Sequence, residues 1–495
     1  MKNIKIISSL FVILLFLSSS CTKLDEKYYD QIPAELYPEN SDQVATLSVN
    51  AYKQLQNMAD DNGWWFLAQE ITSDELCGPT RGADWFDGGK WADMHTHRWT
   101  NDIEGVNRMW SLFWGGVTVC NQTIGQLESI GDSDDIKAKI AELEVLRAFF
   151  YYLLIDNYGD VPYVTSVQAE SFLPEKIERE AIYDSLVSTV EQNLKYLNQG
   201  NLKYMATKNM AFALLTKLYI NAEVYTGTAQ WSKANQYCDS VMSGPYSLAN
   251  DVKSPFVTDN DASPEIIFSI PYDENNFEGF RLHMRTLHYQ HNLTYDMPVG
   301  PWNGFAVVPT HFDTYEDIDL RKEAHFIWGP QYASTGEEII ESVLGEPLVI
   351  DPYLPALSMT DDFSPEQIRT TGARIGKYEI KKGAKENLSN DFPLFRLSDF
   401  YLMKAECEIR LGNSGDEWVN PIRTRANVSP YSGCTLDQLL EERGREMFVE
   451  GHRRQDLIRF GKWGNSWWEK EAQTAEKEIF PIPQWAIDGN PNLGN

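Results

Sequence analysis

The chain has 495 residues, 42% of them hydrophobic, with 43 basic against 72 acidic side chains and a formal net charge of −29. That length can bury a large core. The acidic balance argues against nucleic acid or an anionic lipid surface as a partner, because like charge repels phosphate. Neutral ligands held by stacking and hydrogen bonds stay open, and 15 Trp and 24 Tyr supply the rings for them.

Lys2 and Lys5 precede a largely apolar run from Ile6 to Leu17, which is followed by Ser18, Ser19, Ser20 and Cys21. A basic start, a short apolar core and small residues before a cleavage point make a secretory signal. The run is too short to cross a hydrocarbon core of roughly 30 Å. A cysteine directly after three small residues fits a bacterial lipoprotein signal. Residues 1–20 are then removed and Cys21 carries the lipid, each buried CH₂ contributing about 0.8 kcal/mol. Residues 22–40 are polar, hold two prolines and read as a tether.

A first helix is expected over 42–59, capped by Ser41. Turn formers and aromatics fill 60–100. Helical spacing returns over 107–130, with Trp110, Phe113, Trp114, Val117 and Ile124 on one side. The next helix carries Leu143, Leu146, Phe150, Leu153 and Leu154 at spacings that share one face. Asp132 or Ser133 can cap its start, and Gly159 with Pro162 ends it. Three further helices are expected over 178–197, 206–224 and 230–243. Short turns between such pairs resemble tetratricopeptide units, although no strict 34-residue period is present. From Pro245 to Ser398 glycines, prolines and short β-rich runs such as 265–270 predict loops, small strands and short helices. Helices resume over 397–411, 416–427 and 436–450.

Beyond Cys21 there are five cysteines and no C-x-x-C pair, so neither a disulfide framework nor a zinc site is indicated. His95 with His97, and His288 with His291, lack metal-site spacing and read as satisfied loop or core histidines. Glu442, Arg443, Glu446 and Arg453 read as helical ion pairing.

Two loops carry the candidate chemistry. In 77–100, Asp84, Trp85, Phe86 and Trp91 crowd around Asp-Gly and Gly-Gly turn signals. An indole held on such a turn can stack on a sugar ring, and a neighbouring carboxylate can accept from its hydroxyls. Trp99 is assigned to packing. In 288–305, Tyr289, Tyr295, Trp302 and Asn303 again combine rings with an amide near Gly and Pro.

The stretch LRAFFYYLLIDNYGDVPYVT, 146–165, resembles the helix-and-turn signature of SusD/RagB-type outer-membrane nutrient-binding lipoproteins. Further blocks follow in the order such proteins show: EITSDE, SPEIIFSI, FRLSDFYLMKAECEIRLGN, ERGREMFVEGHRRQDLIRFGKW and FPIPQWAI. The resemblance implies a mainly α fold with tetratricopeptide-like helix pairs and an irregular, loop-rich ligand-binding face. On that reading 41–495 is one domain, with a helical scaffold over about 41–244 and 395–463 and a loop-rich insert over about 245–394. It also implies a cell-surface, outer-membrane lipoprotein that is not an enzyme. Such a protein captures oligo- or polysaccharide and delivers it to a SusC-like TonB-dependent transporter. Members of this family often build the site from an aromatic arc drawn from two distant loops, which the two loops above match. No cofactor and no metal are implied. An extracellular glycoside hydrolase on a helical scaffold and a peptide-binding member of the same family stand as alternatives.

Overall fold

A computed structural model describes residues 41–60, 62–168 and 172–494. The expected signal 1–20, the lipid-bearing Cys21 and the tether 22–40 lie outside the described residues. No helix among the described residues is long and apolar enough to cross a membrane.

The fold is mainly helical. Its principal helices are α1 (Trp65–Ile71), α2 (Lys90–His95), α3 (Glu104–Ile130), α4 (Asp134–Tyr158), α5 (Arg179–Asn193), α6 (Lys208–Ile220), α7 (Trp231–Met242), α8 (Leu397–Arg410), α9 (Asp416–Arg425), α10 (Leu436–Met447) and α11 (Arg453–Arg459). They pack along a chain of neighbours: α3 on α4, α4 on α5, α6 on α7, α7 on α8, and α8 on both α9 and α10. Residues Ala45–Asn495 form one compact unit.

Ser133 caps α4, its hydroxyl accepting the Ile136 N–H at 3.4 Å. Gly159, with φ 71°, follows the last turn. The single apolar stripe expected for this helix is too narrow: every residue from Val145 to Tyr158 is buried. A helix covered all round runs through an interior. Its polar members are satisfied there, Arg147 donating to Asn121 Oδ1 (2.8 Å) and to the Thr165 carbonyl (2.9 Å). At the crossing with α3, Gly116 lies against the Phe150 ring, where a Cβ would come within 2.5 Å of it. The expected helix over 42–59 is interrupted. It divides into Ser41–Leu47, Val49–Lys53 and a 3₁₀ turn, Gln54–Ala59. At the break the Ser48 hydroxyl donates to the Ala45 carbonyl at 3.0 Å, a local bond that competes with helix continuation.

The region between α7 and α8 holds short strands and short helices, as its composition predicts. Ile266–Ile270 pairs antiparallel with Phe392–Arg396, and both strands are fully buried. Phe268 and Phe395 meet Phe149 of α4 edge to face, at 6.1 and 5.9 Å between ring centroids. This ribbon ties the loop-rich region to the helical layer. Two-residue pairings then fix the loops: Leu76–Cys77 with Ala306–Val307, and Thr80–Arg81 with Ser358–Met359.

The charged patch on α10 is not helical surface pairing. Glu442, Arg443 and Glu446 are buried, and most of their partners come from other elements. Glu442 accepts from Arg321 (2.7 Å) and Arg423 (2.6 Å). Arg443 bridges Asp399 (2.8 Å) and Asp456 (2.7 Å). Glu446 pairs with Arg396 (2.8 Å) and Arg425 (2.5 Å). Burial alone would raise the Glu442 carboxyl, but Arg321 and Arg445 outweigh it and bring it down to about 2. Breaking one such buried pair strands the other charge, at about 3–5 kcal/mol.

Candidate functional site

The first loop turns tightly. Arg81 and Asp84 exchange backbone hydrogen bonds across Gly82 and Ala83, with N–O distances of 2.9 and 3.1 Å, and Gly82 takes φ 64°. Trp85 and Asp87 also adopt left-handed backbone, at φ 62° and 43°. Such a conformation costs a non-glycine residue about 1–2 kcal/mol, so surrounding contacts must hold it. For Trp85 those contacts are visible. Its indole N–H donates to the Trp302 carbonyl at 2.8 Å, and its ring lies 5.2 Å from that of Phe305. Gly304 leaves the space: a Cβ there would fall 2.2 Å from the indole.

The second loop reaches the same place. Trp302 sits half-buried with the Arg285 and Arg281 guanidiniums 5.5 and 5.8 Å from its ring. Tyr289 donates its hydroxyl to Asp84 at 2.5 Å, a bond between residues 205 positions apart. Burial, with the Asp84 carboxylate it donates to, pushes the phenol up to about 12. It therefore stays protonated, and donating, at neutral pH. Thus Asp84, Trp85, Tyr289 and Trp302 come together, with Phe86 exposed beside them at 59%.

Three of the expected contact residues are placed otherwise. Trp91 is only 3% exposed; it stacks on Trp64 (4.9 Å, 12°) and donates its N–H to Asp87 at 2.8 Å. Asn303 is 1% exposed and holds loops together, donating to the Arg369 carbonyl (3.1 Å) and accepting from Arg374 (2.8 Å). Neither presents a free face to solvent, because the packing that fixes the loops consumes it. Tyr295 lines a different cavity, beside Phe256, Phe326 and Ile380. Trp99 is buried against Phe480, in keeping with packing.

Several residues that aromatic and turn signals do not reveal frame the site. Arg369 lies 5.0 Å from the Tyr289 ring, and its Nε donates to Glu341 at 2.8 Å. Among the described residues Arg81 and Arg374 are buried without a carboxylate partner and donate instead to backbone carbonyls. Arg81 reaches Gly304 (3.2 Å), Ile368 (2.9 Å) and Thr371 (3.0 Å); Arg374 reaches Thr371 (2.8 Å). Burial brings Arg81 down to about 10. Nothing local in the sequence marks an arginine for this role.

The histidines are accounted for by packing. His97 stacks on Trp463 (4.2 Å, 23°) and its Nε2 bonds the Thr72 carbonyl at 2.8 Å. His291 Nε2 pairs with Gln331 at 3.0 Å. No cluster of three or more metal-ligating side chains occurs among the described residues. The five cysteines described are all free and buried. Rings flanked by a carboxylate and a phenol can stack on a flat, hydroxyl-bearing ligand and orient it by hydrogen bonds.

Known proteins share sequence and fold with this chain. The model of the SusD family matches residues 356–495, and one described as "Starch-binding associating with outer membrane" matches 89–212. The starch-binding protein SusD of Bacteroides thetaiotaomicron is 26% identical over 76% of this chain and 75% of its own length. Among solved structures, surface glycan-binding protein A of Bacteroides thetaiotaomicron, in complex with laminarihexaose, superposes with a TM-score of 0.70. It is 22% identical, with 91% of this chain and 98% of that one covered. A SusD superfamily protein of Parabacteroides distasonis gives a TM-score of 0.74 at 17% identity, over 93% and 98% of the two chains. The matched sequence blocks and the shared helical fold together place this chain in the SusD/RagB family.

Proposed function

We propose that this chain is a non-catalytic glycan-binding lipoprotein of the cell surface. It captures an oligo- or polysaccharide and hands it to a SusC-like TonB-dependent transporter. The lipid on Cys21 holds it at the outer membrane. The observation that carries the reading is the convergence of Trp85, Phe86 and Trp302 with the Asp84–Tyr289 pair, from loops far apart in the chain, on one partly exposed surface. The rings supply stacking; Asp84 accepts from ligand hydroxyls. Trp91 and Asn303 act beneath this surface as supports. Relatives named for binding starch, laminarin and surface glycans support the ligand class. None of those names describes an enzyme. The family-model description supports the outer-membrane location.

The test is calorimetry and affinity electrophoresis of the soluble form from Thr22 to Asn495. The panel holds starch, laminarin, other polysaccharides and peptides, and every mixture is analysed for products. Saturable binding to one glycan class without products is expected. Trp85→Ala and Trp302→Ala should each weaken it about 10- to 100-fold, equivalent to roughly 1.4–2.7 kcal/mol. Released oligosaccharides would make the protein an enzyme, and binding confined to peptides would move it to the peptide-binding branch. Unchanged affinity in both variants would move the site elsewhere.

A further inference from the structure

Beside the aromatic surface lies a second feature that stacking does not use. It is a cavity of 740 Å³ lined by Gln56, Asn57, Asn62, Arg281, Val299 and Asn387, among others. The two regions share Arg281, whose guanidinium faces the Trp302 ring at 5.8 Å while also lining the cavity. Val299, just before Trp302 in the chain, lines it as well. The Arg281 side chain thus stands between the Trp302 ring and this space, and the two regions adjoin across it.

Its lining combines the amides of Gln56, Asn57, Asn62 and Asn387 with charged side chains, three basic (Lys53, Arg281, Lys385) and four acidic (Asp60, Glu274, Glu278, Glu386). Among the described residues the side chains of Asn57 and Asn62 have no hydrogen-bond partner within the chain. Each offers a donor and an acceptor to a ligand. Opposite charges in the lining nearly balance, with one more acidic than basic group, and some of them pair. Arg281 is bound by Asp60 (2.7 and 2.8 Å) and by Glu386 (3.1 Å), and Glu274 by Lys381 (3.0 Å). Such a lining favours a neutral, hydroxyl-rich chain over an anionic one. The volume falls within the range of about 300–1,000 Å³ usual for ligand sites, and exceeds what one sugar ring on one indole needs.

We propose that the bound glycan continues past Trp302 into this cavity, where Asn57 and Asn62 hydrogen-bond the hydroxyls of further neutral sugar units. The inference rests on the glycan-binding reading and adds a chain-length preference to it. The test measures Kd by calorimetry for malto- and laminari-oligosaccharides of two to eight units. Wild type is compared with the double variant Asn57→Ala/Asn62→Ala, with melting temperatures recorded to confirm that both fold. Affinity of the wild type should keep rising with length. The double variant should lose about ten-fold for the longest members and less than two-fold for the shortest. An equal affinity of both proteins at every length overturns the cavity as a subsite and leaves the aromatic site intact. So does an equal loss at every length. If the wild type binds neither series at any length, the glycan reading fails for these ligands, and this inference fails with it.

Discussion

Trp85, in the first loop, and Trp91, in the first turn of α2, have rings only 5.9 Å apart, yet they do opposite work. Trp91 is sealed between Trp64 and Phe305, at 4.9 and 5.1 Å, and Gly78 sits against its base. Trp85 tilts against it and is only half-buried. Trp91→Ala should therefore lower unfolding free energy by about 3–5 kcal/mol in urea melts. Trp85→Ala should show its main effect in glycan calorimetry. A reversed pattern would exchange their roles. Tyr289 makes a finer case. Tyr289→Phe keeps the ring and removes the hydroxyl bond to Asp84, so affinity should fall only about 3- to 10-fold, the worth of one hydrogen bond near 1 kcal/mol. Because the wild-type phenol titrates only near 12, that difference should be constant from pH 6 to 9. A difference that vanishes within that range would mean the phenol ionises there. Asp-Gly and Gly-Gly turns made this loop legible in the sequence. Which Trp faces out was not, because burial depends on Gly304 and Trp64, residues with no local link to either ring.

At the scale of elements, long periodic segments were readable and short ones were not. The helices α3 and α4 announce themselves by spacing, a capping Ser133 and a terminating Gly159. The two-residue strands that fix the site loops carry no periodic signal, since a pair such as Leu76–Cys77 with Ala306–Val307 is too short to alternate. The buried arginines are equally silent. Arg81 binds carbonyls contributed by residues far away in the chain, and Arg374 joins the nearby Thr371 carbonyl to the distant Asn303 side chain, so only the fold reveals that they clamp the loops. Gly304 shows how such a loop junction transmits to the ligand surface. Adding one methyl there puts a carbon 2.2 Å from the Trp85 indole, and something must move. Gly304→Ala should displace that indole from the Trp302 carbonyl. Glycan affinity should drop by at least ten-fold, and the tryptophan emission should shift to the red as the ring enters water. Wild-type affinity and emission together would show that the loop absorbs the methyl without moving the ring.

The molecule as a whole is acidic outside and ionically cross-linked inside, and its pH response should reflect both. The interior carboxylates Glu442 and Asp456 are held down to about 2 by arginines. Their stabilisation is complete above the unfolded carboxylate range and is lost only as pH falls toward 2. Glu70 runs the other way. Burial raises its carboxyl to about 8, against the Gly451 N–H donated to it at 2.6 Å and the nearby charge of Lys377. Glu75 beside it is raised too, by burial and by Glu70. A folded state whose carboxyl titrates near 8 holds more protons than the unfolded chain, where the group titrates near 4.3. The contribution of Glu70 to stability is thus fully present below that unfolded value and declines as pH rises toward about 8. Glu70→Gln keeps an oxygen to accept from Gly451 and removes the titration. Urea melts at intervals from pH 5 to 8 should show the wild type losing stability relative to this variant as pH rises. The limiting slope for one proton is about 1.4 kcal/mol per pH unit. Parallel curves would mean that Glu70 is already ionised in the folded protein, with Lys377 and Arg453 neutralising it in place.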